Sequence, residues 1–262
     1  MLSYQHLYHA GNLADVHKHA LLAVMLDYLT QKPKPLSYIE THAGRGLYDL
    51  SAPEAVKTGE AAAAQRALTA FAADHPYTQA LSAIRSVHGP SAYPGSPLLA
   101  AQMTRAEDRL HLAELHPGEH IALKAAMRGT GAKLHQTDGF ALAASLAPPT
   151  PRRGLLLIDP SYEVKADYAA IPNRIAKLHR AWNVGVIALW YPILTSQAHR
   201  PMRTALRTAH PAALVSEVQF APARPGHGMV GSGLFVLNPP YPLAAEAARL
   251  ERYYAQHLTR PA

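Results

Sequence analysis

The regular alternation of short apolar runs with amphipathic stretches, resumed at residue 109 and carried to residue 237, limits the folds open to this chain more than any other feature. Strand-like runs recur at 36–41, 109–115, 132–136, 154–159, 183–190, 212–220 and 233–237, and helical spacing fills 118–127, 140–146, 167–181 and 196–209. Strands that alternate with helices are joined by right-handed crossovers, which lay them parallel in one sheet with helices on both faces. No helical stretch separates the last two runs, so they are expected to form an antiparallel hairpin at one edge. The expectation is an α/β fold: a seven-stranded, mostly parallel sheet with its last strand antiparallel.

In such sheets ligands bind outside the carboxyl ends of the strands, so the residues that end each strand matter most. The run Gly154 to Ile158 ends in Asp159-Pro160-Ser161-Tyr162. Taken alone, Asp-Pro is common strand punctuation. Yet acids gather after successive strands: Glu40 closes the first, Glu114 the second, Asp138-Gly139 follows the third, and Asp159 ends the fourth. An acid after the second strand suits the paired hydroxyls of a ribose, and one after the third can accept from an adenine amino group. After the first strand, His42-Ala43-Gly44-Arg45-Gly46 supplies glycines where the backbone must turn tightly and approach a ligand. This loop lacks the third glycine of the dinucleotide fingerprint and the Lys-Ser/Thr of a phosphate-binding loop.

Length and composition bound the rest. A chain of 262 residues, 48% hydrophobic, buries a full core. Its net charge of +7 at a charged fraction of only 16% favours a polyanionic partner such as nucleic acid. The chain has no cysteine, which removes disulfides, thiolate metal sites and cysteine nucleophiles. His6, His9, His17 and His19 lie close together but fit no zinc spacing, so no metal is expected. No apolar run approaches a membrane span and the start lacks a leader pattern, so a cytoplasmic protein is expected. Nothing in the sequence bears on oligomeric state, and a monomer is the default expectation.

Ahead of the sheet, residues 1–11 read as an ordered arm, and the apolar positions from about 12 to 29 recur at helical spacing, with Lys18 and His19 in the first turns. Ala-rich segments at 60–73 and 78–87 predict two helices, so 47–92 is expected as a helical insertion subdomain in a main domain of 1–46 and 93–262. Tyr93-Pro94-Gly95-Ser96-Pro97 reads as a loop, with Ser96 suited to cap the next helix.

Together the glycine loop, Glu114, Asp138 and the Asp-Pro-x-Tyr after strand four resemble the Rossmann-like S-adenosylmethionine-dependent methyltransferases, in particular the amino-group methylases with an Asp/Asn-Pro-Pro-aromatic signature. Across nearly the whole chain the sequence is similar to the bacterial 23S rRNA adenine-N6 methyltransferase family. The similarity is carried by Met1-Leu2-Ser3-Tyr4, His9-Ala10-Gly11-Asn12, Lys18-His19, Thr41-His42-Ala43-Gly44, Tyr93-Pro94-Gly95-Ser96-Pro97, Glu114-Leu115-His116-Pro117, Asp138-Gly139, Leu189-Trp190-Tyr191-Pro192 and Asn238-Pro239-Pro240. The resemblance implies S-adenosylmethionine as cofactor and adenine N6 of 23S rRNA as acceptor, on RNA free of protein or in an early assembly intermediate. It implies cofactor contacts at Lys18, His19, His42, Gly44, Ser96, Glu114, Asp138, Gly139 and Asp159. It further implies catalytic roles for Asp159, Pro160 and Tyr162, and a substrate-RNA contact at Tyr4. A DNA adenine methylase and a noncatalytic RNA-binding module remain as alternatives.

Two details cut against a simple motif match. Ser161 stands where the family carries proline, giving the loop an extra N–H and hydroxyl. Asn238-Pro239-Pro240-Tyr241 spells the signature better than residues 159–162 do, but it follows the seventh strand. If that strand is antiparallel, its end lies on the wrong side of the sheet, and the 238 motif is a strand stop.

Overall fold

The computed structural model describes residues 10–53, 60–223, 226 and 228–259. Seven strands form one sheet: β1 (Ser37–Glu40), β4 (Arg109–Ala113), β5 (Lys133–His135), β6 (Gly154–Ile158), β7 (Val186–Leu194), β8 (Leu214–Gln219) and β9 (Met229–Leu237). Their order is β5-β4-β1-β6-β7-β9-β8. β1 pairs in parallel with β4 and β6, β4 with β5, and β6 with β7, whereas β9 runs antiparallel to both β7 and β8. The expected antiparallel last strand is therefore present, inserted between β7 and the edge strand β8. The chain moves outward from β1 to β4 and β5, then restarts on the other side at β6, which opens a crevice at the carboxyl ends of β1 and β6.

Two apolar layers cover the sheet. On one face lie α1 (Leu13–Thr30), α2 (Glu60–Leu68), α3 (Pro76–His88), α4 (Ser96–Met103) and α9 (Leu243–His257), with α5 (Pro117–Ala126) beside them. On the other lie α6 (Gly139–Leu146), α7 (Ala166–Ala181) and α8 (Arg200–Ala209). α1 is buried almost all round, including Asp15, His17, Lys18 and His19, because it is enclosed between the sheet and other helices. A buried helix carrying so many polar groups needs a partner for each. Its start is closed reciprocally: Asn12 accepts from the Asp15 N–H, and Asp15 accepts from the Gly11 N–H, each at 2.9 Å.

The segment expected as a helical insertion contains α2 and α3, and their buried Ala67, Tyr77, Ala80 and Ile84 join the same core cluster as α1. Two short strands that the sequence does not announce, β2 (Leu47–Asp49) and β3 (Ala92–Pro94), close it into an antiparallel ribbon. The loop expected at residue 93 is thus partly strand. α4 begins at Ser96 itself with Gly95 as its cap and Pro97 at its second position, so Ser96 does not cap the helix. β7 runs four residues past the expected end at Trp190, through Pro192. Beyond Leu189 the strand has left β6 and pairs with β9 on its other side, so one edge is open there and can accommodate a proline.

Candidate active site

A cavity of about 530 Å³ opens at the carboxyl ends of β1, β4, β5 and β6. Lys18, His19, His42, Gly44, Ser96, Glu114, Asp138, Gly139, Asp159, Pro160 and Tyr162 all line it, drawn together from six separate stretches of chain. Tyr4 lies outside the described residues.

One end of the cavity is built by the glycine loop. Gly44 has φ +61° and Gly46 φ +80°, conformations that L side chains rarely adopt. The Gly44 N–H donates to one Glu114 oxygen at 2.8 Å and the His116 N–H to the other at 2.7 Å, so the carboxylate is fixed while lone pairs on both oxygens remain. Burial pushes the Glu114 pKa up. Arg45 anchors the loop by a two-toothed ion pair to Glu119 in the first turn of α5, at 2.6 and 2.9 Å. Asp138 caps α6 by accepting from the Ala141 N–H at 2.7 Å. Gly139 is fixed by packing, since a Cβ there would lie 1.8 Å from the Thr41 carbonyl oxygen. His42 contacts the Thr41 hydroxyl at 2.7 Å and sits edge-on to Phe140, and burial lowers its pKa to about 4.

The other end is organised by Asp159. Lys18 Nζ lies 2.7 Å from its Oδ2 and 3.1 Å from Asp15, and also 5.3 Å over the Trp190 ring. Burial opposes the Lys18 charge, but the flanking Asp159 and Asp15 outweigh it and raise its pKa above the ordinary lysine value. Asp159 Oδ1 has no hydrogen-bond partner among the described residues, and its side chain is 13% exposed, into the cavity. Tyr162 takes the left-handed conformation (φ 57°), packs its ring 4.6 Å from Tyr168 and donates its hydroxyl to the Trp190 carbonyl at 2.7 Å. The Ser161 hydroxyl accepts a long 3.5 Å contact from the Glu163 N–H, so the residue replacing proline is engaged within its own loop.

Between the two ends stands Glu40, which the sequence marks only as one of several strand-end acids. It is wholly buried, accepting from the Tyr38 hydroxyl at 2.7 Å and from the Ser96 hydroxyl, and burial pushes its pKa up to about 8. Ser96 thus faces the cavity while its hydroxyl holds Glu40. His19 sits against the Tyr93 hydroxyl at 3.1 Å.

Asn238 is far from this cavity. Its side chain donates to the Asn183 and Gly185 carbonyls, at the start of β7, so the better-spelled motif lies at the opposite end of the sheet. Arg153 donates to the carbonyls of Leu29 and Lys34, and Arg203 pairs with Glu217, so both basic side chains are engaged within the fold. Among the described residues no group of three or more His, Cys, Asp or Glu side chains forms a metal-holding cluster, and no helix is long and apolar enough to cross a membrane.

The cavity's charge is opposite to that of the chain. Seven carboxylates line it (Asp15, Glu114, Glu119, Asp138, Asp159, Glu163, Asp167) against Lys18 and Arg174. Such a lining disfavours a polyphosphate and suits a cationic ligand rich in hydroxyl and amino donors.

Comparisons with known proteins agree with that geometry. A family model described as ribosomal RNA large subunit methyltransferase D, RlmJ, matches residues 33–262. Ribosomal RNA large subunit methyltransferase J of Escherichia coli is 37% identical over 93% of this chain and 89% of its own length. The protein of that name from Haemophilus influenzae is 35% identical over 98% and 94%. The crystal structure of protein LPL1258 from Legionella pneumophila superposes with a TM-score of 0.85 at 33% identity, covering 95% of this chain and 94% of that one. The chain belongs to the RlmJ family of large-subunit ribosomal RNA methyltransferases.

Proposed function

We propose that this chain methylates the exocyclic N6 of an adenine in 23S rRNA, with S-adenosylmethionine as methyl donor. The observation that carries the reading is the Asp159-Pro160 turn. It sets a carboxylate, whose Oδ1 has no partner among the described residues, beside a backbone carbonyl in the cavity that Glu114, Asp138 and Trp190 also line.

The donor set fits the cofactor. Glu114, with both oxygens fixed, suits the ribose hydroxyls; Asp138 suits the adenine amino group; the acidic lining suits a ligand carrying a sulfonium and an ammonium. Gly44 and Gly139 let the backbone come close, and Lys18, His19, His42 and Ser96 complete the wall. When bound, the cofactor supplies a methyl group activated on a positively charged sulfur.

Everything else in the reaction is asked of the chain. An adenine amino nitrogen is a poor nucleophile because its lone pair is shared with the ring. Asp159 Oδ1 and the Pro160 carbonyl, accepting from the two amino hydrogens, turn that lone pair out of conjugation and stabilise the positive charge that grows on nitrogen. Lys18 fixes the other Asp159 oxygen, so the accepting one is aimed before substrate arrives. Tyr162 offers its ring to the base, which must leave any helix to enter. Tyr4 is proposed to contact the RNA, free of ribosomal protein or in an early particle, and the chain to act as a cytoplasmic monomer.

The test is methylation of rRNA from a strain lacking this enzyme, with the modified nucleoside identified by mass and duplex DNA offered alongside. N6-methyladenosine in 23S rRNA is expected. Modification of the DNA alone would assign a different substrate, and cofactor binding without turnover on either would leave only an RNA-binding module.

A further inference from the structure

A chain of buried hydrogen bonds runs from the outer sheet to the cavity wall. His17 Nε2 lies 3.1 Å from the Ser216 hydroxyl on β8, and His17 Nδ1 lies 3.0 Å from the Ser232 hydroxyl on β9. That hydroxyl also accepts the indole N–H of Trp190 on β7 at 2.9 Å. His17, Ser216 and Ser232 are wholly buried. A helix packed on a sheet is ordinarily held by apolar contacts. Three buried polar side chains that, among the described residues, are satisfied by one another and by an indole stabilise the fold no better than a well-packed apolar set would.

What the chain ends on gives it a use. The Trp190 ring lies under the Lys18 ammonium, and the Trp190 carbonyl receives the Tyr162 hydroxyl. Trp190 therefore supports both the partner of Asp159 and the aromatic residue of the same turn. Among the described residues the Ser232 hydroxyl is the hydrogen-bond partner of its indole N–H, and with that bond gone the ring is oriented by packing alone, so the surface on which the Lys18 ammonium rests is less fixed.

We propose that the Ser216–His17–Ser232 chain is a positioning device for Trp190, and through it for Lys18, Asp159 and Tyr162. His17 and Ser232 are positioning residues, since neither lines the cavity. The proposal rests on the methyl-transfer reading of Asp159. Glu114 and Asp138, at the glycine-loop end of the cavity, are held by the Gly44, His116 and Ala141 N–H groups and not by this chain of hydrogen bonds, so the device acts mainly on turnover and reaches cofactor binding only through Lys18 and Asp159.

Three variants test it: Ser232→Ala, Trp190→Phe (which keeps a ring and loses the donor), and the two combined. Each single change is expected to lower kcat on rRNA about tenfold, the scale of a misplaced polar group, with the Kd for S-adenosylhomocysteine weakened by a clearly smaller factor. Because both act through one indole, the double variant should also lose about tenfold and not a hundredfold. Additive losses, an unchanged kcat in Ser232→Ala, or a matching loss of cofactor affinity would overturn the proposal. If Ser232→Ala melts too low to assay, Ser216→Ala on the edge strand breaks the same chain one link out and enters the same cycle. A readout independent of substrate is the indole N–H resonance in a nitrogen-15 spectrum. The chain has two tryptophans, so Trp190→Phe identifies the signal. Ser232→Ala should shift it, and an unmoved resonance also refutes the device. Wild-type enzyme inactive on rRNA while this resonance does shift would instead reject the substrate reading.

Discussion

At the scale of single residues, the site depends on groups whose partners are already in place. Asp159→Ala removes an acceptor but leaves Lys18 paired with Asp15, so the loss should fall on chemistry rather than on folding. Methyl transfer is expected to drop about 10²-fold or more, with the melting temperature little changed, as read by rRNA methylation beside circular dichroism. Gly139→Ala should do the reverse. Its Cβ would be driven into the Thr41 carbonyl, costing about 3 kcal/mol or more, so a chemical melt should show a destabilised or unfolded protein before any question of activity arises. Asp138, Glu114 and Asp159 could be picked from the sequence because each ends or follows a strand. Glu40 could be noticed there but not interpreted: that Tyr38, two residues back on its own strand, and Ser96, over fifty residues away, both donate to it depends on how α4 packs over β1.

At the scale of elements, strand direction decides which of two similar motifs can serve. β6 is parallel to β1 and delivers Asp159 to the cavity, while β9 is antiparallel and delivers Asn238 to the far end. Asn238 holds a left-handed φ of 52° and ties two carbonyls of the loop before β7. Asn238→Ala should therefore keep methyl transfer within about twofold while costing about 1–3 kcal/mol of stability, from the lost hydrogen bonds and the strained backbone. Loss of activity in that variant, with Asp159→Ala still active, would reverse the assignment of the loops. Long elements with a clear period, such as α1, α7 and the run 154–158, were legible in the sequence. β2 and β3, three residues each, were not, because so short a ribbon has no period and exists only through its partner strand. The extension of β7 through Pro192 was equally hidden, since proline reads as a strand stop until the open edge beside it is known.

Across the whole molecule, buried titratable groups set how stability responds to pH. His17 and His42 are held neutral by burial, at about 3 and about 4 against an ordinary 6.5, so below pH 6.5 the unfolded chain binds more protons and stability falls as pH drops toward 4. Each contributes a slope of about 1.4 kcal/mol per pH unit over that interval. Glu40 has the opposite sign. Raised from 4.5 to about 8, it holds its proton more tightly when folded, and the stability tied to that proton is lost as pH climbs through this range. Between 4.5 and 6.5 the two histidines outweigh it, and above 6.5 it acts against stability alone among the three. Stability should peak near pH 6.5 in urea melts taken across pH, and Glu40→Gln should flatten the alkaline side. The sequence by itself determined the sheet class, the antiparallel last strand and the family, because these follow from local periodicity and from the order of motifs along the chain. Only the tertiary structure decided that Trp190 is held through His17, that Glu40 is buried beside Ser96, and that Arg45 and Glu119 lock the glycine loop. Those facts depend on which side chains meet across the packed layers, and no local pattern encodes a contact between residues tens to hundreds of positions apart.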